Sequence, residues 1–260
     1  MPHILDGKKI ARNLKDQLKI EIEKIKIKSN RVPGLAVIQV GNVAASSVYV
    51  KAKTKAAKEV GIDVIDHHLE ESVNQNDLIN LINQLNNNDD VNGILVQLPL
   101  PKTINEEVVL NSIAPEKDAD GFHPLNVGKL SISLKNDENL MIPCTPYGCL
   151  LLLRELDIEL AGKNAVVIGR SNIVGKPMAQ LLLKESCTVT TVHSKTINIE
   201  SICKNADILI AAIGKPEFVN KDWVKKGAIV IDVGINRIKI NEEKSKLVGD
   251  VLFSDVEDKV

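Results

Sequence analysis

The sequence predicts an α/β protein of two domains, residues 1–140 and 141–260, the second built on a doubly wound parallel sheet. Three observations lead there. Four consecutive apolar residues, Ala165 to Ile168, suit a strand buried on both faces; Gly169 ends it, and Met178, Ala179, Leu181 and Leu182 continue as a helix after Pro177. A second strand at 188–192 and apolar runs at 207–213 and 228–233 repeat the strand pattern at the spacing of strand-and-helix units. The first half alternates helix and strand in its own right, and the stiff connector 142–146 leads from it into a helix from Tyr147 to Leu156.

Composition narrows the partners. At 260 residues the chain can form two modest cores. Its 33 Lys plus Arg against 34 Asp plus Glu give no reason to expect nucleic acid or an anionic membrane, so the expected partner is a small molecule. Cys144, Cys149, Cys187 and Cys203 form no CxxC pair and no His cluster accompanies them; neither a metal site nor a disulfide framework is expected, and each reads as a small buried hydrophobe. The amino terminus lacks the apolar core of a signal peptide, and no apolar run approaches the roughly 18 residues of a membrane span. The expected compartment is the cytoplasm.

Taken in order, Asp6 caps a first helix in which Ile10, Leu14, Leu18, Ile22 and Ile25 recur at helical spacing. Its lysines read as a binding patch or as a solvated face, and the interspersed Asp16, Glu21 and Glu23 favour the second. A strand follows from Leu35 to Val40, closed by Gly41 and Asn42. On the next helix, from Ser46 to Val60, Ser46, Tyr49 and Lys53 share an arc of roughly 60°, whereas Lys51, Lys55 and Lys58 cluster on the opposite side. Lys53 is thereby separated from its solvated neighbours, either as a functional lysine or as a snorkelling one beside a packed tyrosine.

A strand from Asp63 to Leu69, a helix near 76–85 and a strand from Gly93 to Leu98 continue the alternation. Gln97 is a polar residue near the end of that last strand, and the run Leu98, Pro99, Leu100, Pro101 must leave the sheet because proline cannot donate to its ladder. Such a glutamine contacts a ligand or caps a loop. Asp118 and Asp120 fall in an aperiodic segment, where Asp-Gly is ordinarily just a turn.

In the second half, Gly169 and Gly175 bracket Arg170, Ser171 and Val174, and Pro177 opens the helix. Backbone amides at such a helix start attract phosphate. An ordinary strand-to-helix turn gives a similar pattern, and Ser171 stands where the standard G-x-G-x-x-G has its second glycine. About 20 residues past the glycine loop, where an NAD site usually carries an acid for the ribose, the chain reads His193, Ser194, Lys195, Thr196. With no acid there, and Arg170 and Lys195 available for an extra phosphate, NADP is expected over NAD.

YVKAK at 49–53, GILVQLPLP at 93–101, PEKDADGFHPLNVGKL at 115–130, PCTPYG at 143–148, GRSNIVGKP at 169–177, HSKT at 193–196 and VIDVGIN at 230–236 together resemble the bifunctional methylenetetrahydrofolate dehydrogenase/methenyltetrahydrofolate cyclohydrolase family. The motifs are in family order and cover nearly the whole chain. The resemblance implies an amino-terminal catalytic domain, a Rossmann-like NADP-binding domain, one active site in the cleft between them, and a homodimer joined through the cofactor domains. It implies two reactions of one-carbon metabolism and purine biosynthesis: hydride transfer from the methylene bridge of a folate to NADP, then hydrolysis of the methenyl cation to 10-formyltetrahydrofolate. By the same resemblance Lys53 is the central catalytic residue, Tyr49 shapes the site, Gln97 positions Lys53 and the reacting carbon, and Asp120 binds the pterin. Cofactor contacts fall on Gly169, Arg170, Ser171, Val174, Gly175, Pro177, His193, Ser194, Gly214 and Ile235.

The chemistry of these residues agrees with those roles. A lysine near a developing cation is driven toward its neutral form and can accept a proton from water. Gln97 can hold it without adding charge, and Asp120 offers two acceptor oxygens to the amino and amide donors on one pterin edge. Relatives continue past the equivalent of Val260 into a PGGVGPMT loop and a final helix, so an exposed apolar patch on the first domain and a poorly active or non-catalytic NADP-binding homologue form the alternative. A dehydrogenase for an amino or hydroxy acid is a further reading. Tyr49, Lys53 and Gln97 count against it.

Overall fold

The computed structural model describes residues 3–133, 140–241 and 244–260. They divide into two compact units, one spanning 6–128 and the other comprising the described residues of 129–260 together with 3–5.

The unit 6–128 is built on a three-stranded parallel sheet in the order β2-β1-β3. Helix α1 (Gly7–Ser29) starts where the Asp6 carboxylate accepts the N–H groups of Lys8 and Lys9 at 3.0 and 3.1 Å, and stops at the left-handed Asn30. Of its expected apolar stripe only Ile22 is buried, because α1 packs on α2 rather than on the sheet; Leu14, Leu18 and Ile25 stay exposed. Strand β1 (Gly34–Val40) is central and almost wholly buried, whereas β2 (Asp63–Leu69) is an edge strand with alternating burial. Helix α2 (Ala44–Val60) begins two residues ahead of the predicted Ser46. Helix α3 (Gln75–Asn86), capped by Asn74, turns Leu78, Ile82 and Leu85 onto Ile38 and Ile94.

Strand β3 (Gly93–Val96) is two residues shorter than predicted. Gln97 therefore lies just beyond it, its N–H still reaching Ile38 O at 2.9 Å, but the proline at 99 cannot extend the ladder. The free flank of β3 is taken by the segment 117–119: Ile94 N–H donates to Lys117 O at 2.6 Å and Ala119 N–H to Ile94 O at 3.2 Å. Lys117 in turn donates from Nζ to the carbonyls of Leu85, Asn86 and Asn88 at 3.2, 2.7 and 2.9 Å, satisfying the carbonyl end of α3. Short helices α4 (Glu106–Ser112) and α5 (Pro124–Ile132) were not foreseen from the sequence pattern.

The second unit carries a four-stranded parallel sheet, β5-β4-β6-β7, made by β4 (Asn164–Ile168), β5 (Thr188–Val192), β6 (Ile208–Ala211) and β7 (Ile229–Asp232). Side chains alternate across it: Ala165 and Val167 join Leu153, Met178 and Leu182 in one core, and Val166 and Ile168 join Cys203, Trp223 and Val224 in another. The first layer comes from α6 (Cys144–Arg154) and α7 (Gly175–Lys184), the second from α8 (Ile199–Cys203) and the turn before β7. Two cores on opposite faces are what a doubly wound sheet requires.

Helix α6 begins at Cys144 rather than Tyr147, so most of the predicted connector is helical. Pro146 is tolerated because N–H groups of a first turn have no helical partner. Likewise Pro177 sits within the first turn of α7. Cys144 is exposed, against expectation, while Cys149, Cys187 and Cys203 are buried; burial pushes the Cys149 thiol up to about 11 and that of Cys203 up to about 12. A hairpin of β8 (Asn236–Lys239) and β9 (Ser245–Val248) and a terminal α9 (Phe253–Val256) complete the unit. Among the described residues no helix is long and apolar enough to cross a membrane.

Gly169 has φ +125°, and a Cβ there would lie 2.2 Å from Ala212 O, whereas Gly162, at φ +77°, faces open space. Gly162→Ala is expected to cost the roughly 1–2 kcal/mol of left-handed strain alone. Gly169→Ala should cost clearly more in urea denaturation, and equal losses would contradict the close approach of Ala212.

Candidate active site

In the unit 6–128, α2 sets Tyr49 and Lys53 one turn apart. Val50, Ala57 and Val60 are buried and fix the helix's rotation, leaving Lys51, Lys55 and Lys58 exposed on another side. Lys53 Nζ lies 3.8 Å from Asp120 Oδ1, with side-chain exposures of 37% and 14%. The lysine predicted to stand apart from its neighbours is therefore half-buried and paired with a carboxylate.

Asp120 is held in place by the acid two residues before it. Asp118, 1% exposed, accepts the His123 N–H at 2.8 Å and the Asn126 Nδ2 at 2.9 Å, and Gly121, at φ +68°, turns the chain just after. Asp118 thus closes the loop, and Asp120 is left facing Lys53. Burial, with the nearby Asp118 charge, holds the Asp120 carboxyl above its usual range, and the Lys53 ammonium opposes that rise.

Gln97 donates from Nε2 to its neighbour Leu98 O at 2.6 Å, while its Oε1 is buried without a partner. The expected contact of Gln97 with Lys53 is not formed among the described residues. An orphaned buried acceptor costs about 1–3 kcal/mol, so a ligand donor or the lysine itself would relieve it. Tyr49 is 46% exposed and available for stacking.

In the second unit a cavity of about 510 Å³ opens at the carboxyl ends of β4, β5 and β6, where Gly169, Arg170, Ser171, His193 and Ser194 come together. Two contacts explain the glycines: a Cβ on Gly169 would strike Ala212 O, and one on Gly175 would lie 2.4 Å from Gly169 O. Ser171, in place of the usual second glycine, accepts the N–H groups of Val174 and Gly175 at 3.2 Å each and so caps α7. The turn after β5 closes on itself, His193 N–H donating to Thr196 Oγ1 at 2.9 Å and Lys195 N–H to His193 Nδ1 at 3.2 Å.

Lys195 does not line the cavity; the second cation on its wall is Lys215, which reading along the chain missed because it follows a different strand, β6. Its Nζ lies 4.9 Å from the Phe218 ring centroid. Val174, Gly175 and Pro177 shape the loop and first turn of α7, Gly214 adjoins the wall at φ +65°, and Ile235 stands 65% exposed beyond β7, off that wall. The cradle formed by two side-chain-free glycines, with Arg170 and Ser194 beside it, fits a phosphorylated dinucleotide.

A doubly wound sheet with a glycine-cradled cavity at its strand ends, carried on one chain with a lysine–carboxylate site on a second α/β unit, defines a dinucleotide-dependent enzyme. Residues 143–260 match the family described as "Tetrahydrofolate dehydrogenase/cyclohydrolase, NAD(P)-binding domain", and residues 5–120 match its catalytic domain. The chain belongs to the tetrahydrofolate dehydrogenase/cyclohydrolase family. It is 55% identical over 250 residues to the "Bifunctional protein FolD" of Acetivibrio thermocellus, covering 96% of this chain and 85% of that one. The crystal structure of the bifunctional FolD enzyme from Campylobacter jejuni superposes with a TM-score of 0.93 at 47% identity, covering 99% of this chain and 88% of that chain. A Trypanosoma brucei relative, solved with NADP cofactor and an inhibitor, gives a TM-score of 0.92 at 38% identity, with 98% and 87% covered. The non-catalytic reading draws no support from these relatives.

Because Asp120 holds its proton more tightly in the folded state, its ionisation opposes folding: its contribution to stability falls as pH rises from the unfolded carboxyl value to the raised folded one. In Lys53→Met the opposing ammonium is gone, so the Asp120 midpoint, followed by carboxyl ¹³C NMR, should move higher still. A midpoint unchanged by the substitution would contradict the coupling of the two groups.

Proposed function

We propose that this protein oxidises 5,10-methylenetetrahydrofolate with NADP and hydrolyses the methenyl product to 10-formyltetrahydrofolate. The observation that carries the reading at residue level is the Lys53–Asp120 pair, at 3.8 Å, on the same unit as the unpartnered Gln97 Oε1. Bound NADP supplies the hydride acceptor. Asp120 takes the two donors on one edge of the pterin, a paired arrangement that fixes the ring's orientation. Asp118 keeps the loop shut so that Asp120 need not reorganise when the ring arrives.

Lys53 then has two partners in turn. Its Nζ lies 3.8 Å from Asp120 Oδ1. When the pterin occupies the carboxylate and cationic charge builds on the folate, Lys53 releases its ammonium proton to solvent and, as the neutral amine, takes one from the attacking water. Gln97 Oε1 accepts a hydrogen bond from the Lys53 amine in that state, which satisfies the orphaned acceptor without adding charge. Tyr49, one turn before Lys53, lies against the folate's aromatic portion. A homodimer joined through the cofactor-binding domains, on the strength of the family resemblance, and a cytoplasmic location, on the strength of the sequence composition, complete the proposal.

Lys53→Met is expected to cut cyclohydrolase turnover by about 10²-fold to 10⁴-fold, as for a lost acid–base group, with NADP binding intact. Near-normal hydrolysis would remove Lys53 from the mechanism. Arg170→Ala should weaken NADP more than NAD in parallel titrations, since the guanidinium is assigned to the extra phosphate. Equal losses would argue against that assignment.

A further inference from the structure

Asp250 lies far along the chain from the glycine loop and was not singled out from the sequence, yet it is wholly buried, at 0% exposure. Its carboxylate accepts four hydrogen bonds. Oδ2 takes the N–H groups of Ile213 and Gly214 at 2.7 and 3.0 Å; Oδ1 takes the Lys215 N–H at 2.8 Å and Asn236 Nδ2 at 2.8 Å. A buried carboxylate is tolerable only when its lone pairs are met in this way. Asp232 fixes Asp250 from behind, accepting the N–H groups of Asp250 and Val251 at 2.8 and 3.1 Å. Two glycines let the acids close in: a Cβ on Gly234 would lie 2.1 Å from Asp250 Oδ1, and one on Gly249 would lie 1.7 Å from Asp232 Oδ2.

The segment that Asp250 grips borders the dinucleotide cavity, whose wall includes Ala212, Ile213 and Lys215. In a trans peptide the C=O points opposite to the following N–H. With the N–H groups of 213–215 turned toward Asp250, the carbonyls of Ala212, Ile213 and Gly214 are turned away from it. The Ala212 oxygen lies on the Gly169 side, where a Cβ on Gly169 would stand 2.2 Å from it.

We propose that Asp250 is a positioning residue of the nucleotide site: it sets the turn 213–215 so that this wall presents carbonyl oxygens, and so reads hydroxyl or amide donors of the dinucleotide while the phosphates are left to the Gly169–Gly175 side. The proposal rests on the reading that the cavity takes NADP. A wall of N–H groups would have offered the phosphates a second, competing seat; Asp250 removes it by occupying those donors.

Asp250→Asn tests this, because one carboxylate oxygen becomes a donor that cannot accept its pair of N–H groups. The KM for NADP is expected to rise about tenfold, with the KM for the folate and kcat at saturating NADP within twofold of the parent enzyme. A folded variant with an unchanged KM for NADP would overturn the proposal, as would a parallel change in both KM values and kcat, which marks general damage. Should the variant not fold, amide exchange in the parent protein decides: the N–H groups of residues 213–215 should be protected without NADP and equally protected with it. Fast exchange without NADP, or exchange that slows only when NADP binds, would overturn it. Failure of the parent protein to bind NADP at all would instead sink the cavity reading, whatever the amides do.

Discussion

Strands buried on both faces satisfy their peptide groups along the ladder, and that option ends where the ladder ends. In each unit, the groups that take over at this point are also the ones that shape the site. Beyond β3 the chain meets a proline, so Gln97 is the last residue to bond back to β1, and its side chain is left with an unmatched oxygen. Beyond β6 the turn 213–215 has no strand to join, and Asp250 collects its N–H groups instead. The positions of the polar side chains follow from where hydrogen bonding to neighbouring strands runs out.

The three buried or half-buried acids near these ends do different work. Asp118 and Asp250 spend their oxygens on protein N–H groups and are thereby fixed. Asp120 faces the half-buried Lys53, and burial makes its charge harder to keep. Of the three, Asp120 is the acid paired with a charged side chain rather than with backbone N–H groups. The same distinction separates Ser171, which caps α7, from Ser194, which stays at the cavity's edge.

Strong periodicity made much of the fold legible. The strands at 63–69 and 188–192 were read with their observed ends, since each is bounded by a glycine or a polar turn. Helix starts were harder: α6 and α7 each admit a proline in the first turn, and a proline in sequence reads as a boundary wherever it stands. The hairpin of β8 and β9 escaped because its strands are only four residues long and carry little apolar pattern. At the site, Tyr49 and Lys53 were legible because helical spacing links them, and the glycines because close approach demands them. Lys215, on the cavity wall, and Asp250, bonded to the turn beside it, were not legible, because adjacency in sequence does not connect either to the glycine loop.

Lys117 ties the carbonyl end of α3 to the segment that flanks β3 and leads into Asp120. Unwinding the last turn of that helix would release the lysine and with it one anchor of the acidic loop. The local stability of the loop that carries Asp120 is thereby linked to the end of a helix whose own side chains face a hydrophobic core. Sequence changes at the surface of α3 can therefore alter the stability of that loop without touching it.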